Sequence, residues 1–141
     1  MLPMTRNPPE YIIDSSALLA ICLNEPEAEK MEWQLIRARE GKSSLFLSVV
    51  QYGEILYIIE QRKGVQRRDE IREYILALPI SFIPVNRSIA EEAAHIKAQG
   101  DISYLDAFAI GAAIDRHATI LTKDREFRKF SKEVSIEWLS S

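Results

Sequence analysis

The stretch Tyr11-Ile12-Ile13-Asp14-Ser15-Ser16-Ala17-Leu18-Leu19 decides the fold. A short apolar run is stopped by one carboxylate, two cap-type serines follow, and an apolar helical segment begins. A strand that hands its chain directly to a helix is the start of a βα unit. Similar junctions carry Glu54, after the strand-like run Leu45-Phe46-Leu47-Ser48-Val49-Val50, and Asp124, after Ile120-Leu121-Thr122. A further acid, Asp106, lies at a helix start in Ser103-Tyr104-Leu105-Asp106-Ala107. In an open parallel sheet, ligands bind beyond the carboxyl ends of the strands. Acids delivered there converge on one pocket, where they repel unless their pKa values rise or a cation lies between them. Hard oxygen ligands suit Mg²⁺ or Mn²⁺, so the pattern points to metal-dependent chemistry on phosphate esters.

Outward from that stretch, helices and strands alternate. Pro26 opens a helix whose Ala28, Met31, Leu35 and Ala38 recur at helical spacing until Gly41, and Leu45 to Leu47 reads as the second strand. Ser48 with Gln51 forms a capping box for a helix ended by Gly64. That helix is apolar nearly all round, which predicts burial on most sides. Ile71, Ile75 and Leu78 mark the next helix, and Ile80 to Ile83 the third strand, with Pro84 confining its end to an edge or a break. Two more capping boxes, Ser88 with Glu91 and Ser103 with Asp106, open helices before the strand Ala118 to Thr122. Arg125 to Phe130 reads as a short helix and Val134 to Trp138 as a last strand. Such alternation argues for a mainly parallel sheet.

Composition bounds the rest. The 141 residues suffice for one domain with a real core, and 47% hydrophobic with 28% charged residues excludes a disordered or fibrous chain. The formal net charge of −3 does not itself advertise nucleic-acid binding, although a bound cation would offset the acids locally. Residues 1–10, with three prolines, read as a flexible leader before a single domain over 11–141. The lone Cys22 reads as a buried small hydrophobe, in keeping with a reducing compartment. No apolar run approaches the roughly 20 residues of a membrane span, and no signal-peptide pattern opens the chain, so the expected location is the cytoplasm.

Each acid has a bland explanation. Asp14 can cap a helix, Glu54 can pair with a core arginine, Asp106 suits a helix N-terminus, and Asp124 suits a turn. Four such placements in one sheet are harder to dismiss together. Ser16 and Thr122 sit beside the acids as candidate supports for them, while His95 and His117 have no ligand spacing. Gly-rich phosphate loops, nucleophile patterns and Cys/His zinc spacing are absent. Lys123, Arg125, Arg128 and Lys129 flank Asp124 where a polyanion would pass, with a solvated face as the alternative.

These segments resemble the PIN domain, and within it the VapC-like ribonuclease toxins. The likeness rests on Ile13-Asp14-Ser15-Ser16-Ala17-Leu18-Leu19, on Leu47-Ser48-Val49-Val50 running on to Gly53-Glu54-Ile55-Leu56-Tyr57, on Ile102-Ser103-Tyr104-Leu105-Asp106-Ala107-Phe108, and on Leu121-Thr122-Lys123-Asp124-Arg125-Glu126-Phe127. The resemblance implies a three-layer α/β/α fold around a five-stranded, mainly parallel sheet. It implies an acidic quartet of Asp14, Glu54, Asp106 and Asp124 binding Mg²⁺ or Mn²⁺, with Ser16 and Thr122 as polar supports. RNA hydrolysis, a homodimer and a small cognate antitoxin are further implications. Two rivals stand beside this expectation. A receiver-type domain would need adjacent acids after the first strand, where this chain has two serines. A non-catalytic PIN module binding RNA or protein would be expected to lose acids, and all four are present.

Overall fold

The structure, a computed structural model, describes residues 7–139; most of the Pro-rich leader, residues 1–6, lies outside them. One five-stranded sheet, every pairing parallel, runs through the centre in the order β3-β2-β1-β4-β5. Its strands are β1 (Glu10–Ile13), β2 (Ser44–Ser48), β3 (Ile80–Ile83), β4 (Thr119–Thr122) and β5 (Ile136–Trp138). The helices are α1 (Ser15–Cys22), α2 (Ala28–Arg39), α3 (Val49–Lys63), α4 (Val65–Leu76), α5 (Arg87–Gln99) and α6 (Tyr104–Arg116), and Arg125–Phe130 forms a 3-10 helix. β3 is an edge strand, one of the two outcomes that Pro84 just after it left open.

Two apolar cores sandwich the sheet. Ile12, Ile110, Ile120 and Phe127 belong to the one that gathers α5 and α6. Ile13, Leu18, Leu47, Ile55, Ile75 and Leu121 belong to the other, under α1 to α4. Ile12 and Ile13 are both fully buried although they point to opposite faces. Burial on both faces is why the strands read as continuous apolar runs and not as alternating ones. The result is the three-layer α/β/α arrangement.

Several local expectations are corrected. α3 is not buried on most sides: Gln51, Ile55 and Ile59 form its one buried stripe, while Val49 and Tyr57 are exposed. Its cap is Ser48, but the hydroxyl accepts from Val50 N at 3.2 Å, and Gln51 turns away to other partners. α5 is capped by Asn86, whose side chain accepts from Ile89 N at 2.8 Å. Ser88 lies inside that helix and its hydroxyl donates to Asp115, so the Ser88–Glu91 box does not form. Asn86 wins because its amide oxygen reaches the third helical amide from an extended backbone. The last strand is three residues long and begins at Ile136, after a turn that buries Val134. Cys22 is only partly buried, packed against the α1–α4 core. No helix among the described residues is long and apolar enough to cross a membrane.

Two helical glycines have opposite reasons to exist. A Cβ on Gly111 of α6 would come within 2.9 Å of Ile89 O and 3.1 Å of Ala93 N, both backbone atoms of α5. A Cβ on Gly53 of α3 would meet nothing within 4 Å. Gly111→Ala should therefore force α5 and α6 apart and destabilise the fold by about 1–3 kcal/mol despite its better helix propensity. Gly53→Ala should stabilise it by about 0.5–1 kcal/mol. Urea denaturation of the two variants checks the pair, and the same sign in both would contradict the packing described.

Candidate active site

Asp14 follows β1 and caps α1. Its Oδ2 accepts from Ser16 Oγ at 2.6 Å, Thr122 Oγ1 at 3.0 Å and Ser16 N at 3.3 Å. The two hydroxyls are themselves approached by backbone donors, Lys123 N at 3.2 Å to Ser16 Oγ and Asp124 N at 2.9 Å to Thr122 Oγ1. A hydroxyl has one proton, so hydroxyls that accept from amides keep theirs for the carboxylate. Oδ2 is thus saturated. Oδ1 is buried and has no hydrogen-bond partner among the described residues.

Asp106 stands in the first turn of α6, whose cap Ser103 accepts from the Asp106 amide at 3.1 Å. Asp124 follows β4 and caps the 3-10 helix, accepting from Glu126 N at 3.0 Å. Oxygens of Asp14, Asp106 and Asp124 all lie within 4.8 Å of one another. Three of the four sequence-predicted acids are therefore brought together. Glu54, half-buried on α3, stands outside that group and its Oε1 accepts from Ser15 Oγ. Its charge still bears on Asp106.

Burial raises the Asp14 carboxyl to about 6 even though Ser16 and Thr122 favour its ionised form. Asp106 is pushed up to about 8, first by burial and then by the charges of Asp14, Asp124 and Glu54. The cluster holds more negative charge than its own hydrogen bonds can settle. A divalent cation fits this set of residues: the donors are all carboxylate oxygens, one of them is buried without a partner, and mutual repulsion is what a cation would relieve.

Gln51 is a site residue that sequence reasoning missed. Fully buried on α3, it accepts at Oε1 from Ser15 N at 3.2 Å and donates from Nε2 to Leu105 O at 2.5 Å. One amide thereby joins the start of α1, α3 and the start of α6, the elements that carry Asp14, Glu54 and Asp106. Its signal in the sequence was a neutral polar residue in line with Ile55 and Ile59 on the buried stripe. The basic set divides. Lys123 is paired with Glu25 at 3.0 Å and Glu27 at 3.7 Å, and Lys129 with Glu126 at 3.3 Å and the Asp101 carbonyl at 3.0 Å. Arg125 and Arg128 are exposed beside Asp124, where they line a shallow cavity of about 470 Å³.

The PIN domain profile matches residues 11–133, and the chain belongs to the PIN domain family. Sequence comparison with curated proteins finds no match. Among solved structures, the fold is similar to that of VapBC2 from Rickettsia felis bound to a promoter DNA fragment, with a TM-score of 0.76 at 14% identity over 91% of this chain and 97% of that one. DNA-bound VapBC from Salmonella typhimurium gives 0.75 at 15% identity, covering 93% of this chain and 98% of that one. VapC20 from Mycobacterium tuberculosis, a toxin that cleaves the sarcin–ricin loop, gives 0.69 at 15% identity, covering 84% and 93%.

The raised carboxyl groups set a pH dependence. A carboxyl with a higher pKa folded than unfolded binds its proton more tightly in the folded state, so stability falls as pH rises between the two values. For Asp106 that window runs from the ordinary carboxylate range up to about 8. Metal-free Asp106→Asn, which cannot ionise, should match the parent near pH 4 and melt at higher temperature than the parent at pH 8. Thermal melts in EDTA at both pH values check this, and a variant less stable at pH 8 would refute it.

Proposed function

We propose that this chain is a metal-dependent endoribonuclease that hydrolyses RNA phosphodiester bonds using Mg²⁺ or Mn²⁺, acting as the toxin of a toxin–antitoxin pair. The observation that carries the reading is the buried Oδ1 of Asp14, which has no hydrogen-bond partner among the described residues yet clusters with Asp106 and Asp124. Membership of the PIN family and the likeness to VapBC folds support the biological role, with a small antitoxin as partner and a homodimer as the expected assembly.

Asp14, Asp106 and Asp124 would hold the cation, and Ser16 and Thr122 would fix the Asp14 carboxylate so that Oδ1 stays presented. A bound divalent ion supplies Lewis acidity, which activates water and stabilises charge on the phosphate. Water's oxygen forms a bond to phosphorus in line with the bond to the 3′-oxygen, which breaks. The leaving 3′-oxygen takes a proton from solvent, so the products are a 5′-phosphate and a 3′-hydroxyl. Glu54, outside the three-acid group, is the carboxylate we assign to take the water's proton, with Ser15 Oγ holding it in place. Arg125 and Arg128 are placed to meet phosphates, whereas Lys123 and Lys129 would first have to leave their acidic partners.

Asp14→Asn, Asp106→Asn and Asp124→Asn should each reduce cleavage of a sensitive RNA to background without unfolding the protein. EDTA should abolish activity, and Mn²⁺ should raise the melting temperature of the parent, since a ligand held only by the folded state stabilises it. Thr122→Val should weaken Mn²⁺ binding roughly 10- to 100-fold, because it releases the Asp14 carboxylate from its support. Full cleavage after exhaustive chelation, or by two of the three Asn variants, would overturn the assignment.

A further inference from the structure

On the same carboxyl edge of the sheet, between α2 and β5, lies a cleft of about 540 Å³. Pro26, Lys30, Trp33, Gln34, Trp138 and Leu139 line it. Large aromatic side chains are seldom left to water, yet Trp33 is 56% and Trp138 37% exposed. The Arg37 guanidinium lies 4.9 Å from the Trp33 ring centre and steadies that ring. Gln34 is only 4% exposed, and its Oε1 is buried with no hydrogen-bond partner among the described residues. A buried acceptor without a donor is an unmet demand that a ligand on this wall could satisfy.

The cleft is continuous with the carboxylates. Trp138 is the register partner of Thr122, and Leu139 N donates to Thr122 O at 2.9 Å. Thr122 Oγ1 in turn holds Asp14. On the other side, Pro26 lies between Glu25 and Glu27, which hold the Lys123 ammonium one residue before Asp124. Thr122 thus joins the wall of the cleft to the carboxylates.

We propose that the cleft is a nucleobase pocket that receives a base flanking the scissile phosphate, stacked on Trp33 or Trp138; this rests on the RNA-cleaving function proposed above. Aromatic platforms hold any base by its face, and the edge contacts select among bases. The lining carries donors and acceptors alike, the two indole N–H groups and Lys30 against Glu29 and Glu137, but its one buried polar atom without a partner among the described residues is an acceptor, Gln34 Oε1. The pocket therefore favours a base that presents an exocyclic amine to Gln34 Oε1, adenine or cytosine, over uracil, which has none.

The test uses catalytically inert Asp124→Asn protein and measures binding of octaadenylate and octauridylate by tryptophan fluorescence and anisotropy. Octaadenylate should bind more tightly. Adding Trp33→Leu or Trp138→Leu should weaken its binding on the order of tenfold, the loss of one stacked base. Gln34→Leu should keep the fold, because it removes an unpaired oxygen, and should bring the two affinities together. Circular dichroism confirms folding, and Gln34→Leu carries the test if a tryptophan variant does not fold. Unchanged octaadenylate affinity in the folded variants overturns the pocket. So does an octaarginine peptide that quenches the cleft tryptophans when octaadenylate does not. If the parent cleaves RNA but the pocket variants bind normally, the pocket alone fails. If octaadenylate binding depends on Trp33 and Trp138 but the parent with Mn²⁺ never cleaves RNA, the nuclease reading alone fails.

Discussion

Like-charge repulsion among Asp14, Asp106 and Asp124 is the constraint on which the rest of this structure depends. Three carboxylate oxygens within 4.8 Å of one another would drive their supporting segments apart if those segments were free. They are not free. Asp14 is fixed by two hydroxyls from different elements, Ser16 on α1 and Thr122 on β4, and the amides of Lys123 and Asp124 orient those hydroxyls. Gln51 does the same service one layer further out by tying α1 to α3 and α6. The network is built from neutral donors, so it positions the acids without cancelling their charge. That charge is what remains available to a cation.

The strain is local and the support is distributed. Both faces of the sheet are covered, and Ile12, Ile13, Ile120 and Leu121 beside the site are fully buried. α5 and α6 approach so closely at Gly111 that no side chain fits between them. α6 therefore enters the site at a fixed height, with Asp106 in its first turn and Ser103 as cap. A site that is unfavourable by itself persists when rigid surroundings over-determine it. The surrounding surface is graded in the same way. Lys123 and Lys129 are engaged by neighbouring acids, while Arg125 and Arg128 stay open beside Asp124. Nearness in sequence made the four look equivalent; Lys129 has its i,i+3 partner Glu126 close by, but the pairing of Lys123 with Glu25 and Glu27 joins residues about a hundred positions apart, which local pattern cannot assign.

The sequence by itself determined the order of strands and helices, the parallel pairing and the family. The first two follow from signals carried within a few residues, β-branched runs, cap residues, glycine stops and apolar spacing; the family rested on the likeness of the segments around Asp14, Glu54, Asp106 and Asp124. It also marked Asp14, Glu54, Asp106 and Asp124, because each acid stands at a junction that the local pattern identifies, and three of the four cluster in the structure. Where it erred, two local signals competed or burial had to be guessed. Asn86 outbid Ser88 as cap because only its backbone is extended at the helix start, and α3 left Val49 and Tyr57 in water because one stripe sufficed to cover the sheet. Tertiary structure alone decided that Glu54 pairs with Ser15 and stands apart from the three-acid group, that Gln51 spans three helices, and that Trp33 and Trp138 face one cleft. Those relations join residues dozens of positions apart. Their geometry is set by how the helices pack across the sheet, and no local pattern carries that information.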